Sequence, residues 1–254
     1  MTQLDSFTHE HLEVRFPAPE PGMEQDEEWC EIDEGGETRQ IRFHDYAEIY
    51  RVPGLYERLF YEGLRCRSPA AVCGLLWEQL GRDSARPSLS VLEVGAGNGM
   101  VAEELDRRGA ESIVGIDIIE EAAEAAERDR PGLYDDYHVI DLTDIPPDVR
   151  EELRRQRFKC LVTVAALGFG DIPPEAFAAA YNLIAVDGWV AFNIKEDFLA
   201  DGEQSGFARL IRRMLDDGTL ESCAQRRYRH RLSIAGEPLH YVAMVARKRG
   251  EAPL

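Results

Sequence analysis

The residues that could do chemistry gather first in the segment SVLEVGAGNGMVAEEL, residues 90–105. An apolar strand pattern leads into Gly95, Gly97 and Gly99, and a helical pattern follows at once. Glycines between a strand and a helix let a ligand approach the backbone closely. The segment therefore predicts a binding turn, whose ligand must be deduced from the surrounding residues.

The spacing of these glycines argues against two phosphate-binding turns. A dinucleotide fingerprint reads G-x-G-x-x-G, and its third glycine lies inside the start of the helix. Here the spacing is G-x-G-x-G, and Met100 stands where that third glycine belongs. A P-loop is excluded more firmly, because no Lys-Ser or Lys-Thr pair follows the turn. The turn thus favours a ligand other than a diphosphate.

Glu93 is a carboxylate inside the otherwise apolar strand before the turn. A buried acid costs several kcal/mol unless it is paired or hydrogen-bonded. Its position therefore predicts a cationic or donor-rich partner nearby. A pyrophosphate would add repulsion at this carboxylate, whereas an ammonium group would neutralise it.

The string LEVGAGNG resembles the first motif of the class I S-adenosylmethionine-dependent methyltransferases, and the resemblance extends from Leu89 to about Arg249. It implies S-adenosylmethionine as the cofactor, with the methionyl group and its ammonium at the turn. The residues that it assigns to the cofactor at this turn are Glu93, Gly95, Ala96, Gly97 and Gly99.

Later strand ends also match the family. In IVGIDII, Asp117 resembles the acid that accepts from both ribose hydroxyls, and Ile118 would lie against the adenine. In YHVIDLTD, Asp141 is similar to the residue that accepts from the adenine amine, and the Leu142 N–H would donate to the ring. The carbonyl of Ala165 or its neighbour would meet the methionyl ammonium. Either aspartate could alternatively be a helix cap.

Strand and helix patterns alternate from Leu89 onward, which predicts a parallel sheet with helices on both faces. The predicted strands are 91–94, 112–116, 137–140, 160–165 and 189–194. The predicted helices are 100–108, 120–130, 147–157, 174–184 and 207–216. Two last strands, in RRYRHRLSI and LHYVAMVARK, predict an antiparallel edge hairpin. The expected fold is a doubly wound α/β sheet of seven strands, to which the resemblance assigns the order 3-2-1-4-5-7-6.

The region before the sheet divides into an acidic arm with a hairpin, 1–43, and a helical lid or cap, 44–88; the binding domain is 89–249 and the tail 250–254. The arm reads as irregular through residue 23, and Gly35-Gly36 predicts a hairpin over 28–43. Ser68-Pro69 is expected to cap and open a helix. FHDYAEIY resembles the family's lid segment: Tyr46 and Tyr50 share one helical face and could cover the methionyl group. Simple packing of these aromatic residues is the alternative.

Three segments are expected to meet beyond the carboxyl ends of the strands, where ligands of open parallel sheets bind. They are ALGFGD, NIKED and FHDYAEIY. A general base is needed only where the acceptor must lose a proton. The candidates for that base are His44, Asp171 and Glu196.

Composition excludes other classes of function. The net charge is −19, and residues 1–40 hold 12 acids against Arg15 and Arg39, so the chain as a whole would repel a polyanion. The basic run RRYRHR is interpreted as an edge strand protected by charge rather than a nucleic-acid site. Five cysteines without a C-x-x-C spacing argue against a disulfide framework or zinc ribbon.

Targeting and metal signals are weak. No apolar run approaches the ~20 residues of a membrane span, and MTQLDSFTHEHLEVRF has neither a basic start nor an apolar signal core, which favours a cytoplasmic location. His9 and His11 in THEHLE are possible metal ligands, but a mobile terminus explains them, so no metal is expected.

The leading hypothesis is a methyltransferase that acts on an O or N atom of a small molecule. Two alternatives stay open: a non-catalytic protein that senses or scaffolds through the same cofactor, and a methyltransferase of basic protein targets, which the acidic surface would attract. The sequence leaves the acceptor, the attacked atom and the oligomeric state undetermined.

Overall fold

A computed structural model describes residues 12–18, 23–34, 36–82, 88–167, 172–196 and 206–253. The chain begins with a small antiparallel sheet of three strands, β1 (Glu13–Arg15), β2 (Trp29–Glu34) and β3 (Glu37–Arg42), in the order β1-β2-β3. The predicted hairpin is β2–β3, although Gly35 at its turn lies outside the described residues. Strand β1 corrects the expectation of an irregular arm, because three residues are too few to show a period-2 pattern.

Helical segments connect this small sheet to the large one. Helix α1 (Tyr46–Arg51) ends before Pro53-Gly54, as expected, and a π-helix (Glu57–Gly63) follows. Helix α2 (Ser68–Leu80) then packs against the large sheet. Ser68 does not cap α2; Arg67 is the N-cap residue, and the Ser68 hydroxyl is used elsewhere.

Seven strands form the large sheet, with helices between them. The strands are β4 (Ser90–Val94), β5 (Ser112–Asp117), β6 (Asp136–Val139), β7 (Cys160–Thr163), β8 (Trp189–Lys195), β9 (Leu220–Leu232) and β10 (Pro238–Lys248). The helices are α3 (Met100–Arg107), α4 (Glu120–Asp129), α5 (Pro147–Gln156), α6 (Pro174–Asn182) and α7 (Gly206–Asp216). The order β6-β5-β4-β7-β8-β10-β9 is the predicted one.

Apolar residues on both faces explain the parallel part of this sheet. Strands β4 to β8 pair in parallel, whereas β10 pairs antiparallel with both β8 and β9. One core cluster lies under α5, α6 and α7 and the other under α2 and α3, so each central strand is covered on both sides. Strand β7 ends two residues before its predicted end, because the chain turns at Ala165, whose φ is 58°.

The small sheet is anchored on the β9–β10 hairpin. The buried Glu28 carboxylate pairs with Arg231 at 2.5 Å and also accepts the backbone N–H of Ile234 at 2.8 Å. A third apolar cluster, which includes Phe43, joins the small sheet to α1 and the π-helix. The N-terminal residues therefore cover the end of the large sheet at which β8 and β9 finish and β10 begins. Within the described residues, no helix is both long and apolar enough to cross a membrane.

Candidate active site

The glycine turn after β4 is built for close contacts. The N–H groups of Gly95 and Ala96 both donate to the carbonyl of Ile116, at 2.9 and 3.1 Å, which ties the turn to β5. Gly97 has a φ of 55°, and a Cβ there would overlap the Tyr50 hydroxyl. Only glycine combines this left-handed backbone with so close a neighbour.

Gly99 has a different task from Gly95 and Gly97. It lines neither of the two cavities beside the turn. It is the N-cap of α3, and a Cβ there would lie 3.1 Å from Arg130 and 3.3 Å from Tyr134. The structure therefore gives Gly99 a supporting place beneath the turn, and its assignment to the cofactor stays a prediction.

Asp117 closes the turn from the end of β5. One carboxylate oxygen accepts the N–H of Gly97 at 2.9 Å, and the other accepts the N–H of Ile119 at 3.1 Å. Burial raises the pKa of this carboxyl, and the backbone donors partly offset that effect. A carboxylate has about four acceptor positions, and the backbone N–H groups of Gly97, Ile119 and Ile118 use some of them, so this half-buried carboxylate at the edge of a cavity keeps acceptor capacity for an O–H donor.

A cleft of about 320 Å³ runs along the carboxyl ends of β4, β5 and β6. Asp117, Ile118, Asp141 and Leu142 all line it. Ile118 is 63% exposed, which leaves an apolar side chain available to a flat ligand. These four predicted positions converge on one cavity because consecutive parallel strands end at the same edge of the sheet.

Asp141 also holds its own turn. Its Oδ1 accepts from the backbone N–H of Thr143 at 2.8 Å and from the Thr143 hydroxyl at 2.7 Å. These bonds lower the pKa of Asp141. In the part of the chain that the structure describes, Oδ2 makes no hydrogen bond. The turn and the cleft can therefore both use this carboxylate.

Aromatic side chains separate the cleft from a smaller cavity of about 70 Å³ behind the glycine turn. Tyr50 is buried and stacks between Tyr46, at 6.2 Å between ring centroids, and Tyr56, at 5.3 Å. These three rings and His44 line both cavities. The predicted shared face of Tyr46 and Tyr50 is confirmed, and it forms the wall between the two cavities.

Glu93 is buried beneath the turn. Its Oε2 accepts from the Tyr134 hydroxyl at 3.1 Å, while Oε1 has no partner among the described residues. Burial raises the pKa of Glu93 from 4.5 to about 8, although the Tyr134 bond opposes the shift. Because Glu93 lines neither cavity, its assignment to an ammonium group stays a prediction.

The three candidate bases have different surroundings. His44 lines both cavities. Glu196 instead forms an exposed ion pair with Arg227 at 2.7 Å and lines neither cavity, so its role as a base stays a prediction. The carboxylate reaches past β10 to the edge strand β9, which carries Arg227. Asp171 lies outside the described residues, as do His9 and His11.

Among the predicted site residues, Ala165 has an unusual backbone conformation. It lines both cavities, and its φ of 58° is rare for a residue with a Cβ. The side chain of Asn193 holds this backbone by accepting the Ala165 N–H at 2.7 Å. A backbone held in so uncommon a conformation by a buried side chain is typical of a functional site.

Several supporting residues escaped sequence analysis. Arg130 donates to Glu57 at 2.8 Å, to Glu103 at 2.9 Å and to the Asn98 carbonyl at 3.0 Å, which clamps the π-helix onto the glycine turn. Tyr137 donates to the carbonyl of Gly97 at 2.8 Å. Lone tyrosines and arginines carry no spacing signal, so only the folded chain identifies them.

One group of potential metal ligands lies outside the cavities. Asp136, His138 and Glu152 have ligand atoms within 4.8 Å of one another, and His138 is 3.2 Å from Asp136. Asp136 begins β6, whereas the cleft lies beyond the other end of that strand. The group therefore has no part in the site.

The fold and parts of the sequence match known proteins. A model of the methyltransferase domain family matches residues 64–231. The N-methyltransferase NodS from Bradyrhizobium japonicum WM9, solved with S-adenosyl-L-homocysteine, is 13% identical with a TM-score of 0.55, and the match covers 81% of this chain and 97% of NodS.

Two further solved structures share this fold. The magnesium protoporphyrin IX methyltransferase ChlM from Synechocystis PCC 6803, solved with SAH, is 15% identical with a TM-score of 0.51, and the match covers 74% and 85% of the two chains. The [4+2]-cyclase SpnF is 18% identical with a TM-score of 0.50, and the match covers 71% and 80%. No curated protein matches the chain.

Proposed function

The chain belongs to the S-adenosylmethionine-dependent methyltransferases, the family whose domain model it matches over residues 64–231, and from that premise we propose that it methylates an O or N atom of a small-molecule acceptor. The observation that carries the proposal is the Asp117 carboxylate, which joins the glycine turn to the cleft and has lone pairs available there.

The residues of the cleft fit this cofactor chemically. The carboxylate of Asp117 suits the two hydroxyls of a ribose, and the exposed Ile118 beside it suits a base. Asp141 offers a carboxylate oxygen at the next strand end, where the N–H of Leu142 would meet the adenine ring. At the turn, Gly95, Ala96 and Gly97 bring bare backbone to the methionyl group.

Oε1 of Glu93, which has no hydrogen-bond partner among the described residues, also suits this cofactor. A buried carboxylate with a raised pKa is stabilised in its charged form by a nearby cation. We propose that the methionyl ammonium supplies this charge, and that the carbonyl of Ala165 or its neighbour accepts a hydrogen bond from the same ammonium. A direct contact requires a movement of Tyr134 or the glycine turn, since Glu93 lines neither cavity.

When bound, S-adenosylmethionine would supply an electrophilic methyl carbon on its sulfonium. An O or N atom of the acceptor would attack that carbon in line, the S–CH3 bond would break, and S-adenosylhomocysteine would leave. The chain's own contribution is alignment and exclusion of water. Tyr46, Tyr50 and Tyr56 present aromatic faces at the boundary of the two cavities, where a cation is favoured. His44 stands at the same boundary and is the proposed proton acceptor for acceptors that must lose a proton; Asp171 stays a second candidate.

Asp117→Ala tests the cofactor site. We expect the affinity for S-adenosylhomocysteine, measured by calorimetry, to fall roughly 10- to 100-fold, the range for a lost charge-assisted hydrogen bond. Asp135→Ala is the matched control, because Asp135 likewise accepts a backbone N–H, from Ile113 at 2.8 Å, but at the opposite end of β5. Equal affinity in the two variants would contradict the ribose assignment.

Methyl transfer needs its own test, because a neighbour with this fold is a [4+2]-cyclase. The protein is incubated with methyl-labelled S-adenosylmethionine and with separate small-molecule and protein fractions of an extract. Label in the small-molecule fraction supports the proposal. Label in the protein fraction would instead indicate that the enzyme methylates proteins. Binding without transfer to either would favour the sensor alternative.

Cofactor addition is also expected to order the proposed lid. Residues 41–64 include α1, which packs on α4, and Arg128 donates to the Tyr50 carbonyl at 3.1 Å. We expect S-adenosylhomocysteine to slow amide exchange in 41–64 more than in residues 226–247 of the edge strands. Equal protection of both segments, with or without ligand, would leave 41–64 as packing.

A further inference from the structure

The peptide between Val164 and Ala165 is held by the protein on one side. The Ala165 N–H donates to Oδ1 of Asn193 at 2.7 Å, and Asn193 is completely buried. Within the described part of the chain, no backbone N–H donates to the carbonyl of Val164. Val164 and Ala165 line both cavities, whereas Asn193 lines neither. The N–H side of this peptide is therefore fixed, and the carbonyl side is available to a ligand.

The direction of the Val164 carbonyl follows from the bond to Asn193. The peptide is trans, so its N–H and its carbonyl point in opposite directions. With the N–H directed to Asn193 on β8, the carbonyl of Val164 points away from that side chain. The left-handed backbone of Ala165, with a φ of 58°, is unfavourable for a residue with a Cβ. The bond to Asn193 offsets part of that cost.

A buried network fixes the orientation of the Asn193 amide. Its Nδ2 donates to the Tyr228 hydroxyl at 2.7 Å and to Ser68 Oγ at 3.3 Å. The reversed amide would set its NH2 group against the Ala165 N–H, where two donors would face each other. The network and the Ala165 N–H therefore select the same orientation of the side chain.

The network continues from Tyr228 on β9 and Ser68 on α2 to a buried histidine. Ser68 Oγ lies 2.7 Å from the Tyr228 hydroxyl and 2.6 Å from Nδ1 of His230. Burial and the neighbouring Arg231 lower the pKa of His230 to about 3, so the neutral ring can accept through Nδ1. Tyr228 can then donate to Ser68, and Ser68 to His230. Both hydroxyl oxygens keep a lone pair for the amide of Asn193.

The glycine turn lies beside the Val164 peptide. Gly95 lines the same two cavities as Val164, and a Cβ on Gly95 would lie 2.7 Å from the Cβ of Ala166. A ligand group held at the glycine turn is therefore within reach of the segment that follows β7.

We propose that Asn193 is a positioning residue for the methionyl end of the cofactor, and that Tyr228 and Ser68 orient it. By holding the Ala165 N–H, Asn193 turns the carbonyl of Val164 toward the methionyl ammonium, so Val164 is the neighbour of Ala165 that accepts from it. Asn193 acts through this peptide and touches no ligand atom. The inference rests on the proposed methyltransferase function, because it requires the methionyl group at the glycine turn.

Two ligands separate this role from a general effect on stability. S-adenosylhomocysteine carries the ammonium, whereas 5′-methylthioadenosine keeps the adenosine and the sulfur but lacks the amino-acid part. We expect Asn193→Leu to lower the affinity for S-adenosylhomocysteine roughly 10-fold, the range for a weakened charge-assisted hydrogen bond, and to change the affinity for 5′-methylthioadenosine less than about 2-fold. An equal loss for both ligands, or no loss for either, would overturn the proposal.

Two further variants accompany Asn193→Leu in the same calorimetry. Tyr228→Phe removes a single hydroxyl and keeps the ring, so it tests the network even if Asn193→Leu does not fold. We expect it to show the same ligand selectivity with a smaller loss, and equal losses would overturn the orienting role. Asn182→Leu is the matched control, because Asn182 likewise accepts a backbone N–H, from Ala252 at 2.8 Å, but at the opposite end of β8. It should leave both affinities unchanged.

NMR can observe the Val164 carbonyl directly. Protein with carbonyl-13C valine and 15N-alanine gives signals from Val–Ala peptides alone, and Val164→Ile identifies the signal of interest by removing it. We expect S-adenosylhomocysteine to shift the Val164 carbonyl and 5′-methylthioadenosine to leave it nearly unchanged. An equal shift with both ligands, or none with S-adenosylhomocysteine, would overturn the choice of Val164. Failure of the proposed function appears separately, as absence of S-adenosylhomocysteine binding to the wild-type protein.

Discussion

Gly97→Ala is expected to lower the stability of the protein by roughly 3 kcal/mol and to reduce cofactor affinity at least 100-fold. The left-handed backbone costs a residue with a Cβ about 1–2 kcal/mol, and overpacking adds about 1–3 kcal/mol. The added Cβ overlaps the Tyr50 hydroxyl, and Tyr50 has little room to withdraw because it stacks between Tyr46 and Tyr56. Denaturant unfolding and calorimetry with S-adenosylhomocysteine measure the two effects.

The two causes can be separated with a matched glycine. Gly109 also has a left-handed backbone, with a φ of 89°, but a Cβ there meets nothing within 4 Å. Gly109→Ala should therefore show only the backbone cost and leave cofactor affinity unchanged. Tyr50→Ala should restore part of the stability lost in Gly97→Ala, as coupled neighbours do in a double-mutant cycle. Strict additivity of Gly97→Ala and Tyr50→Ala would contradict the proposed overlap.

Glu93→Gln is expected to stabilise the cofactor-free protein by about 3 kcal/mol at pH 7 while it weakens cofactor binding. The pKa of Glu93 is raised from 4.5 to about 8 in the folded state. Between these values the folded state holds a proton that the unfolded state has lost, so wild-type stability falls as pH rises through this window. Glutamine resembles the protonated acid and removes that dependence.

The measurement is the free energy of unfolding of both proteins from pH 4 to pH 8. The difference should be small at pH 4 and grow toward pH 8. Glu127→Gln is the control, because Glu127 is an exposed acid on α4 and should leave the profile unchanged. A constant difference across this range would mean that Glu93 is ionised in the empty protein. Unchanged affinity for S-adenosylmethionine in Glu93→Gln would remove its assignment to the ammonium.

Tyr134 explains why the carboxyl of Glu93 is tolerated under the turn. Its hydroxyl is 3.1 Å from Glu93 Oε2 and 3.3 Å from the Ala96 carbonyl, so one hydrogen serves the strand and the turn together. A buried acid with a single hydrogen-bond donor lowers the stability of the folded protein, but it binds a cationic ligand group well. Stability and binding are thus opposed at this position.

Much of the binding site could be predicted from sequence, because it depends on local rules. Periodicity identified β4 to β8 and the helices between them, and the edge hairpin followed from two alternating strands. The glycine spacing predicted a turn, and the φ values of Gly95 and Gly97 have the sign that such a turn requires. Asp117 and Asp141 could be placed beside that turn, since parallel strands end at one edge.

Expectations about single charged or polar side chains were less reliable. Ser68 precedes a proline at the start of α2, which predicts a cap, yet its hydroxyl joins Tyr228 and His230. Glu196 follows β8 toward the site but pairs with Arg227 on the edge strand. In both cases a partner distant in sequence offers a better hydrogen bond than the local backbone or the cavity does.

The amino-acid sequence by itself determined the order of strands and helices, the glycine turn and the carboxylates at the strand ends, because backbone conformation and periodicity are properties of neighbouring residues. Tertiary structure alone decided which buried groups face each other. His230 lies in a basic run that predicts an exposed edge, and β9 is that edge. Yet the ring of His230 is buried and hydrogen-bonds to Ser68, which is 162 positions away in the sequence. This contact forms because the small N-terminal sheet and α2 cover this end of β9.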